Sequence, residues 1–181
     1  MCKCNNIYKY SESGLNHECG VLGIYGVPDA ANLAYYGLHA LQHRGQQGCG
    51  IVSVDSQGEF HRFKGDGLVT EVFNEDKISK LQGSMAIGHV RYSNAKCKGT
   101  ENIQPFLFHH NSGDFAMANN GQIANYVQLR NELEDRGSLF QSSSDAEVIA
   151  HLIKKQGTDK TLPRISSIKS ALNMVDGAFA F

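Results

Sequence analysis

Short apolar runs alternate with polar turns in the first two thirds of the chain, whereas apolar residues in the last third recur at helical spacing. The runs that predict strands are residues 21–26, 51–54, 59–63, 85–90, 105–108 and 115–118. The segments that predict helices are residues 30–41, 126–136, 145–156 and 163–175. Runs separated by Gly-containing turns are expected to form two hairpins, residues 51–63 and 105–118. Strands followed by segregated helices favour antiparallel sheets covered by helices, so we predict one α+β domain.

The boundaries of this pattern carry local signals. Asp29 precedes the first helix and is expected to cap its N-terminus. Ser144 and Glu147 stand at the spacing of a capping box in front of the third helix. The last residues, 178–181, have the pattern of the middle of a strand, so we expect the domain to be truncated at its C-terminal end.

Length and composition limit the classes of partner. The chain has 181 residues, 41% of them hydrophobic, and a formal charge of −1, which suits a single globular domain with a sizeable core. The balanced charge gives no reason to expect a nucleic acid or an anionic membrane as partner. No apolar run approaches the roughly 20 residues that span a bilayer.

Cysteine usage and the N-terminal segment indicate a cytoplasmic protein. The polar leader, residues 1–18, lacks the hydrophobic centre of a secretory signal. The five cysteines are Cys2, Cys4, Cys19, Cys49 and Cys97. Their odd number and irregular spacing favour free thiols in a reducing compartment over a disulfide framework.

Cys19-Gly20 stands between the leader and the first apolar run. If the leader is removed, Cys19 carries a thiol and a free α-amine on one residue, and the amine can shuttle protons for the nucleophilic sulfur. On the dipeptide alone, a buried core cysteine remains the competing interpretation.

Other polar residues at the ends of predicted elements fit the needs of glutamine amide hydrolysis. Arg91 follows a strand and offers a guanidinium for a carboxylate, or else is an ordinary surface arginine. Asn120 and Gly121 offer two donors to a developing oxyanion, or else form a plain Asn-Gly turn. Asp145 offers a carboxylate for an ammonium group, and its place in the first turn of a helix is also favoured by the helix dipole.

Five motifs occur in an order that resembles one family. They are residues 19–24 (Cys-Gly-Val-Leu-Gly-Ile), 41–46 (Leu-Gln-His-Arg-Gly-Gln), 88–92 (Gly-His-Val-Arg-Tyr), 120–123 (Asn-Gly-Gln-Ile) and 143–147 (Ser-Ser-Asp-Ala-Glu). Together they resemble the N-terminal-nucleophile glutamine amidotransferases, from Cys19 to the C-terminus. The leader and the phrases at 35–40 and 65–73 are most similar to the members that make 5-phosphoribosylamine from phosphoribosyl pyrophosphate in purine synthesis.

The resemblance implies a role for each candidate residue. Cys19 would be the nucleophile, exposed by removal of the leader, and Asn120 with Gly121 would form the oxyanion hole. Arg91 would hold the α-carboxylate of glutamine and Asp145 its α-ammonium group.

The resemblance also implies a setting for these residues. Arg44 would organise the site near Cys19, and the stretch after Arg91 would be a mobile loop that closes over glutamine. The implied fold is a four-layer αββα sandwich of two antiparallel sheets between helix layers, with residues 19–181 forming the glutaminase domain. No metal or organic cofactor is implied here. Mg and an iron–sulfur cluster would belong to an absent phosphoribosyltransferase domain, and the full-length protein would be a homo-oligomer.

Two departures and two alternatives accompany the resemblance. The family usually has His where this chain has Asn119, and commonly has Thr where it has Asn94. With the leader retained, the α-nitrogen of Cys19 is an amide, so one alternative is a catalytically silent fragment. The other is a glutaminase domain that serves a different acceptor, such as a sugar phosphate or aspartate.

Overall fold

The computed structural model describes residues 19–92, 100–110, 113–157 and 164–181. The chain divides into two compact units, a first unit within residues 1–118 and a second unit within residues 119–181. The expected leader and the loop expected at residues 93–99 lie outside the described residues.

An antiparallel four-stranded sheet forms the centre of the first unit, with strand order β1-β4-β2-β3. Its strands are β1 (Gly20–Tyr25), β2 (Gly48–Val54), β3 (Phe60–Asp66) and β4 (Met85–Arg91). A separate hairpin pairs β5 (Phe106–Phe108) with β6 (Phe115–Met117). The helices are α1 (Ala30–Ala40), α2 (Val69–Val72) and α3 (Glu75–Ser79). Both predicted hairpins are thereby confirmed.

Helix α1 packs against one face of this sheet. Ala30, Ala34 and Leu38 are fully buried at intervals of four residues, which puts them on one stripe of the helix. A Cβ placed on Gly88 of β4 would lie 2.9 Å from Leu38 Cδ1, so glycine permits the close approach of helix and strand. This helix face and the sheet residues beneath it form the hydrophobic core of the first unit.

The opposite face of the sheet is covered by the chain around Ile103. A Cβ on Gly48 would lie 2.7 Å from Ile103 Cδ1, and one on Gly50 would lie 2.4 Å from the carbonyl oxygen of Gln104. Lys64 on β3 donates from Nζ to the carbonyl oxygen of Ile103 at 2.8 Å. Two glycines in β2 thus let this segment lie directly on the sheet.

The second unit combines two antiparallel strands with three helices. Its elements are β7 (Asn120–Ile123), α4 (Tyr126–Asp135), α5 (Ala146–Gln156), α6 (Arg164–Leu172) and β8 (Gly177–Ala180). Strand β7 pairs with β8, and α5 contacts both α4 and α6. Buried residues on α4 and α5, including Leu129, Leu133, Val148, Ile149 and Leu152, supply the apolar interior. The strand expected over residues 178–181 is confirmed by β8.

Two predictions about helix starts are wrong. Asp29 has φ 54° in the left-handed region and its side chain makes no capping hydrogen bond. The capping box is also absent, because the carboxylate of Glu147 accepts from Gln141 and Ser142. The N–H of Ser144 donates to Ser142 Oγ at 3.3 Å.

No helix among the described residues is long and apolar enough to cross a membrane.

Candidate active site

Cys19 and Arg91 lie at neighbouring strand ends in the first unit. The antiparallel register pairs Gly20 with Val90, so one further step sets Cys19 opposite Arg91. A Cβ on Gly20 would meet Val90 at 2.8 Å and Leu41 at 3.2 Å, which identifies that side of the pair as the α1 side. Because side chains alternate along a strand, Arg91 points to the opposite face, and Cys19 lies directly before β1 beside the end of β4.

The thiol of Cys19 contacts the backbone of Tyr92. The N–H of Tyr92 lies 3.3 Å from Sγ, and the carbonyl oxygen of Tyr92 lies 3.6 Å from it. A protonated thiol can donate to the carbonyl, whereas a thiolate can accept from the N–H. A donor aimed at sulfur favours the thiolate form, which is the reactive one.

Residues 41–46 pack against the backbone at these two strand ends. Arg44 donates from Nε to the carbonyl oxygen of Cys19 at 3.2 Å, so the resemblance-based expectation that Arg44 lies near Cys19 agrees with this contact. A Cβ on Gly45 would lie 2.6 Å from the carbonyl carbon of Arg91 and 2.9 Å from the nitrogen of Tyr92. Only a residue without a side chain fits against the Arg91–Tyr92 peptide.

The side-chain amide of Gln42 holds this segment in place through both its nitrogen and its oxygen. Its Nε2 donates to the carbonyl oxygen of Gly45 at 2.6 Å, and its Oε1 accepts from the N–H of Val69 at 2.7 Å. The motif at residues 41–46 therefore connects α2 to the backbone that carries Arg91.

Positive charge is concentrated near this face. The pKa of Lys64 is lowered to about 8 because the ammonium group is half-buried and because Arg62 and Arg91 repel it, with Glu101 opposing both effects. No signal in the sequence singled out Lys64. By contrast, burial raises the pKa of Cys49 to about 12, so this second thiol is inert in the core.

Asn120 and Gly121 lie in strand β7 of the second unit, opposite Ala180 and Phe179 of β8. The interpretation of Asn-Gly as a turn is therefore wrong. Gly121 has φ 137°, and a Cβ there would lie 2.2 Å from the carbonyl oxygen of Ala178. Conformation and space both require glycine at this position.

Asp145 directly precedes α5 and is tied to the same strand. Its Oδ2 accepts from the N–H of Ile123 at 2.9 Å, which links the carboxylate to the end of β7. Burial raises the pKa of Asp145 from its usual value, although hydrogen bonds from the N–H groups of Ile123 and Ala146 oppose that effect. A cation beside a partly buried carboxylate offsets the cost of burying its charge, so Asp145 is suited to bind an ammonium group.

Glu147, which the sequence suggested only as a capping residue, is 2% exposed and accepts three hydrogen bonds. Burial would raise its pKa, but the nearby imidazole of His151 and the hydrogen bonds from Gln141 and Ser142 lower it to about 2. The His151 Nε2 atom lies 3.7 Å from Oε1, which is longer than a hydrogen bond.

The structure thus brings two sets of predicted residues together. Cys19, Arg44 and Arg91 meet in the first unit, and Asn120, Gly121 and Asp145 lie on connected elements of the second. Within the described parts of the chain, no cluster of three or more His, Cys, Asp or Glu could hold a metal ion.

Comparisons with known proteins agree on one family. Residues 75–181, which include Arg91, Asn120, Gly121 and Asp145, match the family model described as a glutamine amidotransferase domain. The chain is 53% identical to an amidophosphoribosyltransferase of Bacillus subtilis over 93% of its length, and spans 35% of that relative. It is 49% identical to an amidophosphoribosyltransferase of Lacticaseibacillus casei, covering 95% of this chain and 87% of that one.

Solved structures give the same result. One is the glutamine phosphoribosylpyrophosphate amidotransferase from B. subtilis complexed with ADP and GMP, with TM-score 0.81 and 49% identity. A second, described as the allosteric regulatory enzyme of purine biosynthesis, has TM-score 0.83 and 50% identity. Each match covers 88% of this chain and 34% of the other. The predicted fold class, α+β with antiparallel sheets and of the N-terminal-nucleophile type, is confirmed.

Proposed function

Because this chain belongs to the family of glutamine amidotransferase domains, where it groups with the amidophosphoribosyltransferases, we propose that it hydrolyses the side-chain amide of glutamine. The observation that carries this proposal is the position of Cys19, which directly precedes β1 and whose Sγ contacts the backbone of Tyr92, the residue next to Arg91. That arrangement puts a nucleophile beside a group suited to the α-carboxylate of an amino acid.

Cys19 is the proposed nucleophile, and its own α-amine is the proposed proton carrier. Removal of residues 1–18 frees this amine, whose pKa of about 7.7–8.0 suits proton transfer at neutral pH. The N–H of Tyr92, 3.3 Å from Sγ, supports the thiolate that attacks the amide carbon.

Asn120 and Gly121 are the proposed oxyanion hole. The carbonyl oxygen of the amide gains negative charge as sulfur adds, and the Asn120 amide with the Gly121 N–H would donate to it. The exclusion of any side chain at Gly121 supports this role, because a backbone N–H must come close to the reacting oxygen.

Arg91 and Asp145 are the proposed recognition residues for the two charges of the amino acid. Arg91 offers a planar pair of donors to the α-carboxylate, and Asp145 offers a partly buried carboxylate to the α-ammonium group. Together they would select a free amino acid over an amide within a peptide, which lacks both charges.

The proposed reaction has two steps, formation of a thioester and its hydrolysis. The α-amine of Cys19 takes the proton of the thiol, the thiolate adds to the amide carbon, and the same proton passes to the leaving nitrogen, so that ammonia departs and a γ-glutamyl thioester remains. Water then attacks the thioester, which releases glutamate and restores the thiol. One solved relative is named a glutamine phosphoribosylpyrophosphate amidotransferase, and we propose that phosphoribosyl pyrophosphate is also the acceptor of the ammonia released by this chain.

Labelling with an electrophilic glutamine analogue tests whether Cys19 is the N-terminal nucleophile. Intact-mass measurement should show a chain that begins at Cys19, and peptide mapping should show one adduct, on that residue. The Cys49→Ala variant is the matched control and should label like wild type, whereas Cys19→Ala should not label. Equal labelling of both variants would contradict the proposal.

A chimaera tests the acceptor. This chain would replace the corresponding 35% of the B. subtilis relative, and pyrophosphate release from phosphoribosyl pyrophosphate would be measured with glutamine and with ammonia as donors. We expect both donors to work, and Cys19→Ala to abolish only the glutamine-dependent rate. A chimaera active with ammonia but silent with glutamine would refute the assignment.

A further inference from the structure

The turn in front of Asp145 is held at all three polar atoms of Ser142. Its N–H donates to Oε2 of Glu147 at 2.7 Å, and its hydroxyl donates to the same oxygen at 2.6 Å. Its carbonyl oxygen accepts from Nη1 of Arg130 at 2.9 Å. The other oxygen of Glu147, Oε1, accepts from the N–H of Gln141 at 2.8 Å. Both carboxylate oxygens are therefore committed to this turn.

The donors are arranged so that only a carboxylate satisfies them. Glu147 is 2% exposed, so water does not replace a lost partner. A glutamine in its place would keep one oxygen but would turn an NH2 group toward a backbone N–H, leaving donors face to face. Ser142 is itself buried, at 7% exposure, so the turn has little freedom to relax.

We propose that Glu147 is a positioning residue that fixes residues 141–144 and thereby holds the carboxylate of Asp145 in place for the α-ammonium group of glutamine. The inference rests on the proposed function, because it assumes that Asp145 binds this group. Asp145 is then fixed from two sides, by the Glu147-bound turn before it and by the N–H of Ile123 at its Oδ2.

Glutaminase kinetics of Glu147→Gln test the proposal. Because Asp145 binds the unreacting end of glutamine, its displacement should raise KM roughly tenfold, the usual effect of losing one hydrogen bond to a charged group, and leave kcat within about twofold. Ile149→Val is the matched control, since it removes one buried methyl group from α5 and leaves every hydrogen bond of the turn in place. It should lower the Tm while leaving KM unchanged.

A pair of electrophiles gives a readout that a merely structural role would not move. An electrophilic glutamine analogue carries the α-ammonium group, whereas iodoacetamide requires only the thiol. In Glu147→Gln, we expect labelling of Cys19 by the analogue to slow roughly tenfold and labelling by iodoacetamide to stay within about twofold. Peptide mapping reports each rate at Cys19 alone.

The outcomes separate the two ideas. A wild-type chain that reacts no faster with the analogue than with iodoacetamide would overturn the proposed function and this inference together. A normal wild type with both rates equally altered in Glu147→Gln, or with neither altered, would overturn the inference alone. If Glu147→Gln does not fold, Ser142→Ala decides, since it removes the hydroxyl bond and keeps both backbone bonds. In Ser142→Ala, labelling of Cys19 by the analogue should slow by about two- to threefold, and labelling by iodoacetamide should not change. If the ratio of these two labelling rates equalled that of wild type, the proposal would be refuted.

Discussion

Replacing Gly45 with alanine should displace the backbone that carries Arg91 and contacts the thiol of Cys19. Gly45 has φ −159°, which alanine adopts freely, so the effect is one of space alone. The new Cβ would lie 2.6 Å from the Arg91 carbonyl carbon, whereas ordinary contacts begin at 3.4 Å. The peptide must therefore move by roughly 0.8 Å, and backbone cannot rotate away as a side chain can.

This displacement has a calculable effect on rate and stability. A shift of that size disturbs the contact between the Tyr92 nitrogen and Sγ, which are now 3.3 Å apart. Misplacement of this size costs up to about 100-fold in rate, so we expect kcat/KM to fall by about 10- to 100-fold. Overpacking should also cost about 1–3 kcal/mol of stability, or roughly 2–4 °C in Tm per kcal/mol.

The assay combines glutamate release with thermal unfolding followed by circular dichroism. Gly23→Ala is the matched control in strand β1, because a Cβ there meets nothing within 4 Å. It should keep wild-type activity and stability. If Gly45→Ala matched Gly23→Ala in both measurements, the reasoning from close backbone packing would be refuted.

Four further predictions concern the proposed site. Asn120→Ala should lower kcat by roughly 10²–10³ with little change in KM, as expected for one oxyanion donor, and a change in KM alone would argue against that role. Arg91→Lys should raise the KM for glutamine about tenfold through loss of bidentate geometry, so an unchanged KM would exclude carboxylate binding. Burial raises the pKa of Asp145 above 3.8, so its charge lowers stability as pH rises above that value. Asp145→Asn should therefore raise the Tm at pH 7 while calorimetry shows weakened glutamine binding, and a lower Tm would contradict this. The pKa of Glu147 is about 2 against the usual 4.5, so its ionised carboxylate adds roughly 3 kcal/mol to the free energy of unfolding. This stabilisation is complete above pH 4.5 and is lost as the pH falls to 2. In Glu147→Gln, the free energy of unfolding should fall less steeply between pH 4.5 and pH 2 than in wild type. An equally steep fall would refute the low pKa of Glu147.

Periodicity was sufficient to predict the longer elements, because each buries one regular face. Helix α5 and strands β1 and β4 match their predicted positions to within one residue at each end. Strand β2 begins three residues before the predicted run of residues 51–54. The short helices α2 and α3 were missed, since four or five residues are too few to show a helical period.

Features that depend on distant partners were not accessible from local sequence. Strand β7 exists because β8 pairs with it more than 50 residues later, and an Asn-Gly dipeptide alone favours a turn. Likewise, Glu147 has the spacing of a capping box, but the turn at Ser142 offers its carboxylate more donors than the helix terminus does. The order of the five motifs identified the candidate residues, whereas their geometry needed the strand register.

The pairing of Gly20–Tyr25 with Met85–Arg91 makes the nucleophile intolerant of changes in chain length. A single residue inserted or deleted within β1 would shift the residues before it by one place in the register, and would thereby move the sulfur away from the backbone of Tyr92. Substitutions along this strand can lower activity by degrees, but an insertion or deletion is expected to abolish it. Variation in length among natural or engineered versions of this chain should therefore be confined to the turns and never enter its first strand.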